Sequence, residues 1–168
     1  MALPSNIDVK AELAAVREWS ASFAVDSFTE HDAWLVGTTM RERALAGGLA
    51  IVIDIRRGET PLFSVMLPGA TPANFDWARR KRTFSLLTEK TSWEHSLMRE
   101  NGDDLIAMMG LDPRDHVAAG GCVPVRVHGA GVVATVTISG LPQWEDHRFV
   151  VAVLEDFAAG RLVHATAG

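Results

Sequence analysis

Cysteine is nearly absent from this 168-residue chain: the single thiol, Cys122, can form no internal disulfide and excludes every zinc site that needs two or more thiolates from one chain. Tyrosine is missing altogether. Basic charge is the minority sign, with 16 Lys and Arg against 21 Asp and Glu and a net charge of −5 at pH 7, so the overall field repels polyanions and offers no general attraction for nucleic acid. Long apolar runs are missing too. The strongest, Ala50 to Ile55, is interrupted by Asp54 and followed by Arg56, far short of the roughly 20 residues that span a bilayer. The start, Met1 to Asp8, lacks the basic and apolar regions of a secretory signal, so the expected location is the cytoplasm. What is plentiful is apolar side chain, 48% against 22% charged, the balance of a chain that buries a core. With no repeat, low-complexity tract or long Gly/Ser linker, 1–168 is expected to be a single domain.

The apolar periodicity orders the elements. Leu13, Val16 and Phe23, set among Lys10, Glu12, Arg17 and Glu18, predict an amphipathic packing helix over about 8–23. Thr29 caps a second helix reaching Leu45, whose seam of Ala33, Gly37, Met40 and Ala44 permits close approach to a sheet. Ala50 to Arg57 and Pro61 to Leu67 predict a hairpin across a Gly-Glu turn. Asn74 can cap a third helix carrying Trp77, Phe84 and Leu87, and Thr91-Ser-Trp-Glu94 is a capping box opening a short fourth helix. A few helical residues follow around Leu105 to Met109. Cys122 to His128 and Val132 to Ile138, joined by Gly129-Ala-Gly131, predict a second hairpin. A final helix carries the stripe Val150, Val153, Leu154 and Phe157. Strands that come as hairpin pairs between helices make an α+β domain with a mainly antiparallel sheet. A doubly wound dinucleotide fold is disfavoured, since no strand is followed by a glycine-rich phosphate turn.

Candidate chemistry is sparse. Arg79-Arg-Lys-Arg82 is the densest charge cluster and its cations suit phosphate, carboxylate or a haem propionate; on a helix they spread around a turn, so only Lys81 and at most one neighbour can face inward. The histidines, His31, His95, His116, His128, His147 and His164, lack metal-binding spacing, and no metal site is expected. Glu145 and Asp146 sit where a helix start favours carboxylates. Gly120-Gly121-Cys122 reads either as a loop whose amides line a ligand pocket or as a tight turn with a packed thiol. A nucleophilic Cys122 would need a neighbouring base, and no nucleophile elbow is present.

In order along the chain, Val52-Ile-Asp with Gly58, Ala78-x-x-Lys81, Gly120-Gly-Cys-Val-Pro-Val125 and Ser139-Gly-Leu-Pro-Gln-Trp-Glu-Asp146-His147 resemble the HbpS/GlcG-type, or haem-degrading domain, family from about Thr29 to Phe157. Arg79 to Arg82 and Gly140-Leu-Pro-Gln-x-x-Asp146-His147 resemble its short stand-alone cytoplasmic branch. The resemblance implies a profilin-like fold, a central sheet of about five antiparallel strands with helices on both faces, and homo-oligomers. It places Trp77, Lys81, Gly120, Gly121, Cys122 and Asp146 near a pocket for haem or another anionic cofactor. Cys122 stands where the family pattern has a third glycine, which either adds a thiolate haem ligand or fills the space.

Three readings follow. The first is an oligomeric ligand-binding protein taking haem or another anionic small molecule. The second is a non-catalytic adaptor that recruits a protein partner, with the N-terminal helix outside the main resemblance as its distinctive part. The third is a small-molecule enzyme using Cys122 or Asp146.

Overall fold

The computed structural model describes residues 3–162; His164 lies outside them. Helix α1 (Val9–Ser22) opens at Asp8, whose carboxylate accepts from the Lys10 and Ala11 amides, and α2 (Glu30–Ala46) opens on a full capping box between Thr29 and Asp32. The hairpin of β1 (Val52–Arg57) and β2 (Thr60–Met66) follows. Helix α3 (Pro72–Thr88) begins earlier than the sequence suggests: Thr71 is its cap, Pro72 supplies the pre-set φ of the first turn, and Asn74 closes the capping box from inside the helix. Helix α4 (Ser92–Glu100) has Thr91 as cap, accepting from the Glu94 amide, but the Glu94 carboxylate does not return to Thr91. After the single turn of α5 (Leu105–Met108), β3 (Cys122–Val127) and β4 (Gly131–Ser139) form the second hairpin, and α6 (Gln143–Ala158) ends the described chain.

The four strands, rather than five, pair antiparallel in the order β2-β1-β4-β3, and Val25 adds a single parallel bridge to Val127 at the outer edge of β3. Both hairpins of the sequence are present, and the two centre strands, β1 and β4, join them. Side chains alternate across the pleat, so the faces differ in chemistry. Ile53, Ile55, Val123, Val125, Val136 and Ile138 point to one side, where Ala33, Val36 and Met40 of α2 and Val150, Val153 and Leu154 of α6 complete the main core. The opposite face is polar. The register sets Ser64, Asp54, Thr137 and Cys122 in one row across all four strands, and α3 lies over this side with Ala78, Lys81, Arg82 and Ser85 buried. Helix α1 packs within its own chain: Leu13 and Val16 join Trp93, Leu97 and Met98 in a second, smaller core against α4.

Candidate functional site

Five of the six residues singled out in the sequence meet where α3, the loop before β3 and the start of α6 converge. Lys81, only 1% exposed, reaches from α3 to donate to an Asp146 carboxylate oxygen at 2.7 Å and to the Ile138 carbonyl at 3.1 Å. The other Asp146 oxygen accepts from the Leu141 amide at 3.1 Å. Burial pushes Asp146 up to about 6, partly offset by the Lys81 charge beside it, and the same burial holds Lys81 below the ordinary lysine range. Asp146 is thus a buried ion partner, where a helix-start carboxylate would be exposed to solvent.

The glycines are there because nothing larger fits. A Cβ on Gly121, whose φ is +127°, would stand 2.6 Å from the Ile138 oxygen and 2.8 Å from Lys81 Nζ. One on Gly120 would stand 2.3 Å from the Gln143 carbonyl, while the Gly120 amide donates to the Gln143 side chain. Cys122 follows on β3, fully buried, with its amide donating to Ser92 Oγ at 2.8 Å. Burial raises its thiol to about 11, so it is protonated at neutral pH. The Ser85 and Thr137 hydroxyls lie beside the sulfur without hydrogen bonds of ordinary geometry. Trp77, the sixth residue, is half-buried and stacks under the Arg80 guanidinium, 4.3 Å from its ring centroid.

The basic run divides as helical geometry requires. Lys81 and Arg82 turn inward, while Arg79 and Arg80 pair with Asp76 on the outside. Arg82 reaches Glu59 at 2.7 Å and lies 3.9 Å from Asp54, which also holds Arg56 at 2.8 Å. Together with Lys81 and Asp146, these groups make the space between α3 and the sheet a charge-balanced polar layer.

As a haem site this centre does not fit. Lys81 is occupied by Asp146, and Cys122 is a sealed thiol rather than a thiolate. Two nearby histidines are buried in their neutral forms: burial lowers both His95 and His147 to about 3. The ring of His95 is engaged by Thr88 Oγ1 at 2.7 Å, and that of His147 packs between Trp19 and Trp93. Among the described residues no group of three or more His, Cys, Asp and Glu is placed to hold a metal ion.

An open site lies elsewhere, in a groove of about 730 Å³ between α1, the end of α3 and β3. Its polar wall brings together Arg17, Lys90 and Arg126, and Leu87 supplies an exposed apolar side chain. Glu94 forms the buried floor, accepting from Lys90 at 2.7 Å and Arg17 Nε at 3.1 Å, which is why its carboxylate is unavailable to the capping box. Glu89 caps α3 in the left-handed conformation at φ 53°, the sole non-glycine residue with positive φ among those described. That turn sends its carbonyl to Arg126 at 2.8 Å while its carboxylate takes the same guanidinium at 3.2 Å. In the sequence Arg17, Leu87 and Glu94 read as helix and capping positions, and none of the groove residues reads as a ligand group. The single trace is a glutamate where a helix end favours glycine or asparagine.

Helices over both faces of an antiparallel sheet, with a lysine–carboxylate pair locked under a glycine loop, define a small α+β scaffold of the profilin-like kind. The chain belongs to the family described as "Haem degrading protein HbpS-like", which matches residues 28–155. A UPF0303 protein of Azotobacter vinelandii is 39% identical over 158 residues, 94% of each chain. Among solved structures, the Ybr137w protein superposes with a TM-score of 0.79 at 26% identity, covering 88% of both chains. The PduOC:heme complex superposes at 0.66 and 18% identity, covering 77% of this chain and 94% of that one, a likeness of fold.

Proposed function

We propose that this protein is a small oligomeric ligand-binding member of the HbpS-like family and that its ligand is an anionic cofactor or small molecule. The observation that carries this reading is the groove, where three cations face two carboxylates in a chain whose overall charge is −5. Its volume lies within the roughly 300–1,000 Å³ common to small-molecule sites. The Lys81–Asp146 centre supports it indirectly, by fixing α3 and α6 to the glycine loop and so holding the groove's wall in place.

Haem is the first anion to test, because the family carries its name and a neighbour of the same fold is a haem complex. Its two carboxylates suit Arg17, Lys90 and Arg126, which, unlike the sealed Lys81, stay a third to a half exposed beside their partners Glu94 and Glu89. No histidine or cysteine lines the groove, so no axial ligand is assigned. Titration with haemin, followed by absorption and calorimetry, is expected to give saturable binding. Arg126→Glu should weaken it at least tenfold, matching the roughly 1.5–3 kcal/mol of a charged hydrogen bond. If neither haemin nor other organic mono- and dicarboxylates bind saturably, the reading fails.

Chemistry at Cys122 has no support in the geometry, since the thiol is protonated and inaccessible. A non-catalytic adaptor would need a free surface of its own, and the exposed apolar one at the edge of the sheet suits a second copy of the chain better than a foreign partner.

A further inference from the structure

We propose that this edge, strand β2 together with the outer side of α2, is the surface on which a second copy of the chain pairs, strand to strand, about a two-fold axis near Ser64.

Strand β2 lies at one end of the sheet with β1 as its hydrogen-bonded neighbour, so its outer row of amides and carbonyls has no strand beside it among the described residues. Natural sheets blunt such an edge with charge, above all lysine. Thr60-Pro-Leu-Phe-Ser-Val-Met66 has no charged residue. Pro61 removes a donor near the start and leaves Leu62 to Met66 as the competent ladder. Antiparallel pairing of two such ladders centred on Ser64 sets Leu62 against Met66 of the second copy and Phe63 against its Val65. Every cross-strand pair is then apolar or neutral, with no like charges opposed.

The helical layer carries the matching pattern. A two-fold axis perpendicular to the sheet keeps both α2 helices on one face and makes them antiparallel. Helix α2 has Glu30 and Asp32 in its first turn and Arg41, Glu42 and Arg43 near its end; Glu30 pairs with Arg57 and Arg43 with Asp156 within the chain, which leaves Arg41 as the cation that faces the acidic first turn of the other copy. Arg41 is exposed and has no carboxylate partner among the described residues. Trp34 is 59% exposed and packs edge-on against Phe63 at 5.8 Å. Phe63 in turn fills the space over Gly37, level with the middle of the strand. Leu45, 41% exposed, lies eleven residues and so about three turns from Trp34, on the same side of the helix, and Met66 at the strand end is 47% exposed. A half-exposed tryptophan beside an uncharged edge is the composition of an interface core.

The test uses the full chain in solution. Ser64→Cys places a thiol at the two-fold axis, and since native Cys122 is buried, mild oxidation should join most of the protein as a disulfide-linked dimer on a non-reducing gel. Thr60→Cys, off the axis, should cross-link at least tenfold less. Ser64→Lys and Trp34→Glu should each lower the particle mass measured by light scattering at least twofold with an unchanged circular dichroism spectrum, while Met108→Lys, on an exposed apolar residue elsewhere, should leave it unchanged. A wild-type chain that is monomeric at about 100 μM overturns the proposal, as does an oligomer whose mass survives both edge variants or a Ser64→Cys protein that fails to cross-link. The haemin titration is independent of these outcomes, so the ligand reading and this one fail separately.

Discussion

Asp146 shows how far one residue's role depends on what its neighbours bring to it. A carboxylate in the first turn of a helix is worth about 0.3–1 kcal/mol through the helix dipole. Asp146 is instead the partner that allows Lys81 to be charged in the interior. Asp146→Asn keeps the shape and removes the charge, and it is expected to cost about 3–5 kcal/mol, seen as a melting temperature lower by about 10 °C. A loss under 1 kcal/mol would return the residue to the dipole account. Lys81→Met with Asp146→Leu, which removes both charges, should restore most of the lost stability. Gly121→Ala is expected to destabilise by about 2–3 kcal/mol, since the new methyl meets both the Ile138 oxygen and the Lys81 ammonium in a backbone region that alanine avoids. These residues could be singled out in the sequence because the family motifs name them. Their meeting could not be read from spacing, because Lys81 and Asp146 are 65 positions apart and joined by the fold alone.

At the scale of elements, periodicity and capping chemistry locate both hairpins and the helices between them, and errors concentrate where two residues compete for one role. Asn74 has the chemistry of a cap, yet Pro72 two residues earlier already fits a first helical turn, so Thr71 takes the cap and Asn74 serves inside the helix. Glu94 has the spacing of a capping partner, but Arg17 and Lys90 offer full charges where a backbone amide offers a partial one. Of these competitors only Arg17 is remote in sequence, 77 positions from Glu94. The fifth strand implied by family resemblance is absent among the described residues, where two hairpins give four. The left-handed end of α3 carries its own prediction. Glu89→Gly should relieve the backbone and raise stability by about 0.5–1 kcal/mol in a denaturation curve, while weakening the hold on Arg126 and with it any anion affinity of the groove. A destabilised variant would mean that the ion pair outweighs the strain.

For the molecule as a whole, buried neutral histidines set the response to acid. His95 and His147 have ordinary values near 6.5 unfolded and are lowered by burial to about 3, so unfolding takes up their protons and stability falls as pH drops below 6.5. Asp146 works in the opposite sense between 3.8 and about 6, because its folded form holds the proton more tightly. Two histidines against one carboxylate leave a net uptake of about one proton, or about 1.4 kcal/mol per pH unit near pH 5. Urea titrations at pH 6.5 and 5 should therefore differ by about 2 kcal/mol, with the protein weaker at pH 5; equal stabilities would mean that these rings accept protons without unfolding. This behaviour is invisible in a sequence where six histidines look alike, because what separates two of them is burial beside Phe84 and Trp93.

The sealed thiol has a practical corollary. Cys122 is the only cysteine, lies at the junction of β3, α3 and the glycine loop, and is out of reach of solvent while that junction is closed. Its rate of modification by a thiol reagent under native conditions therefore counts openings of this one place. The protein carries a built-in clock for the breathing of its own interior, readable in bulk without any added label, and a ligand that steadies the scaffold should slow it.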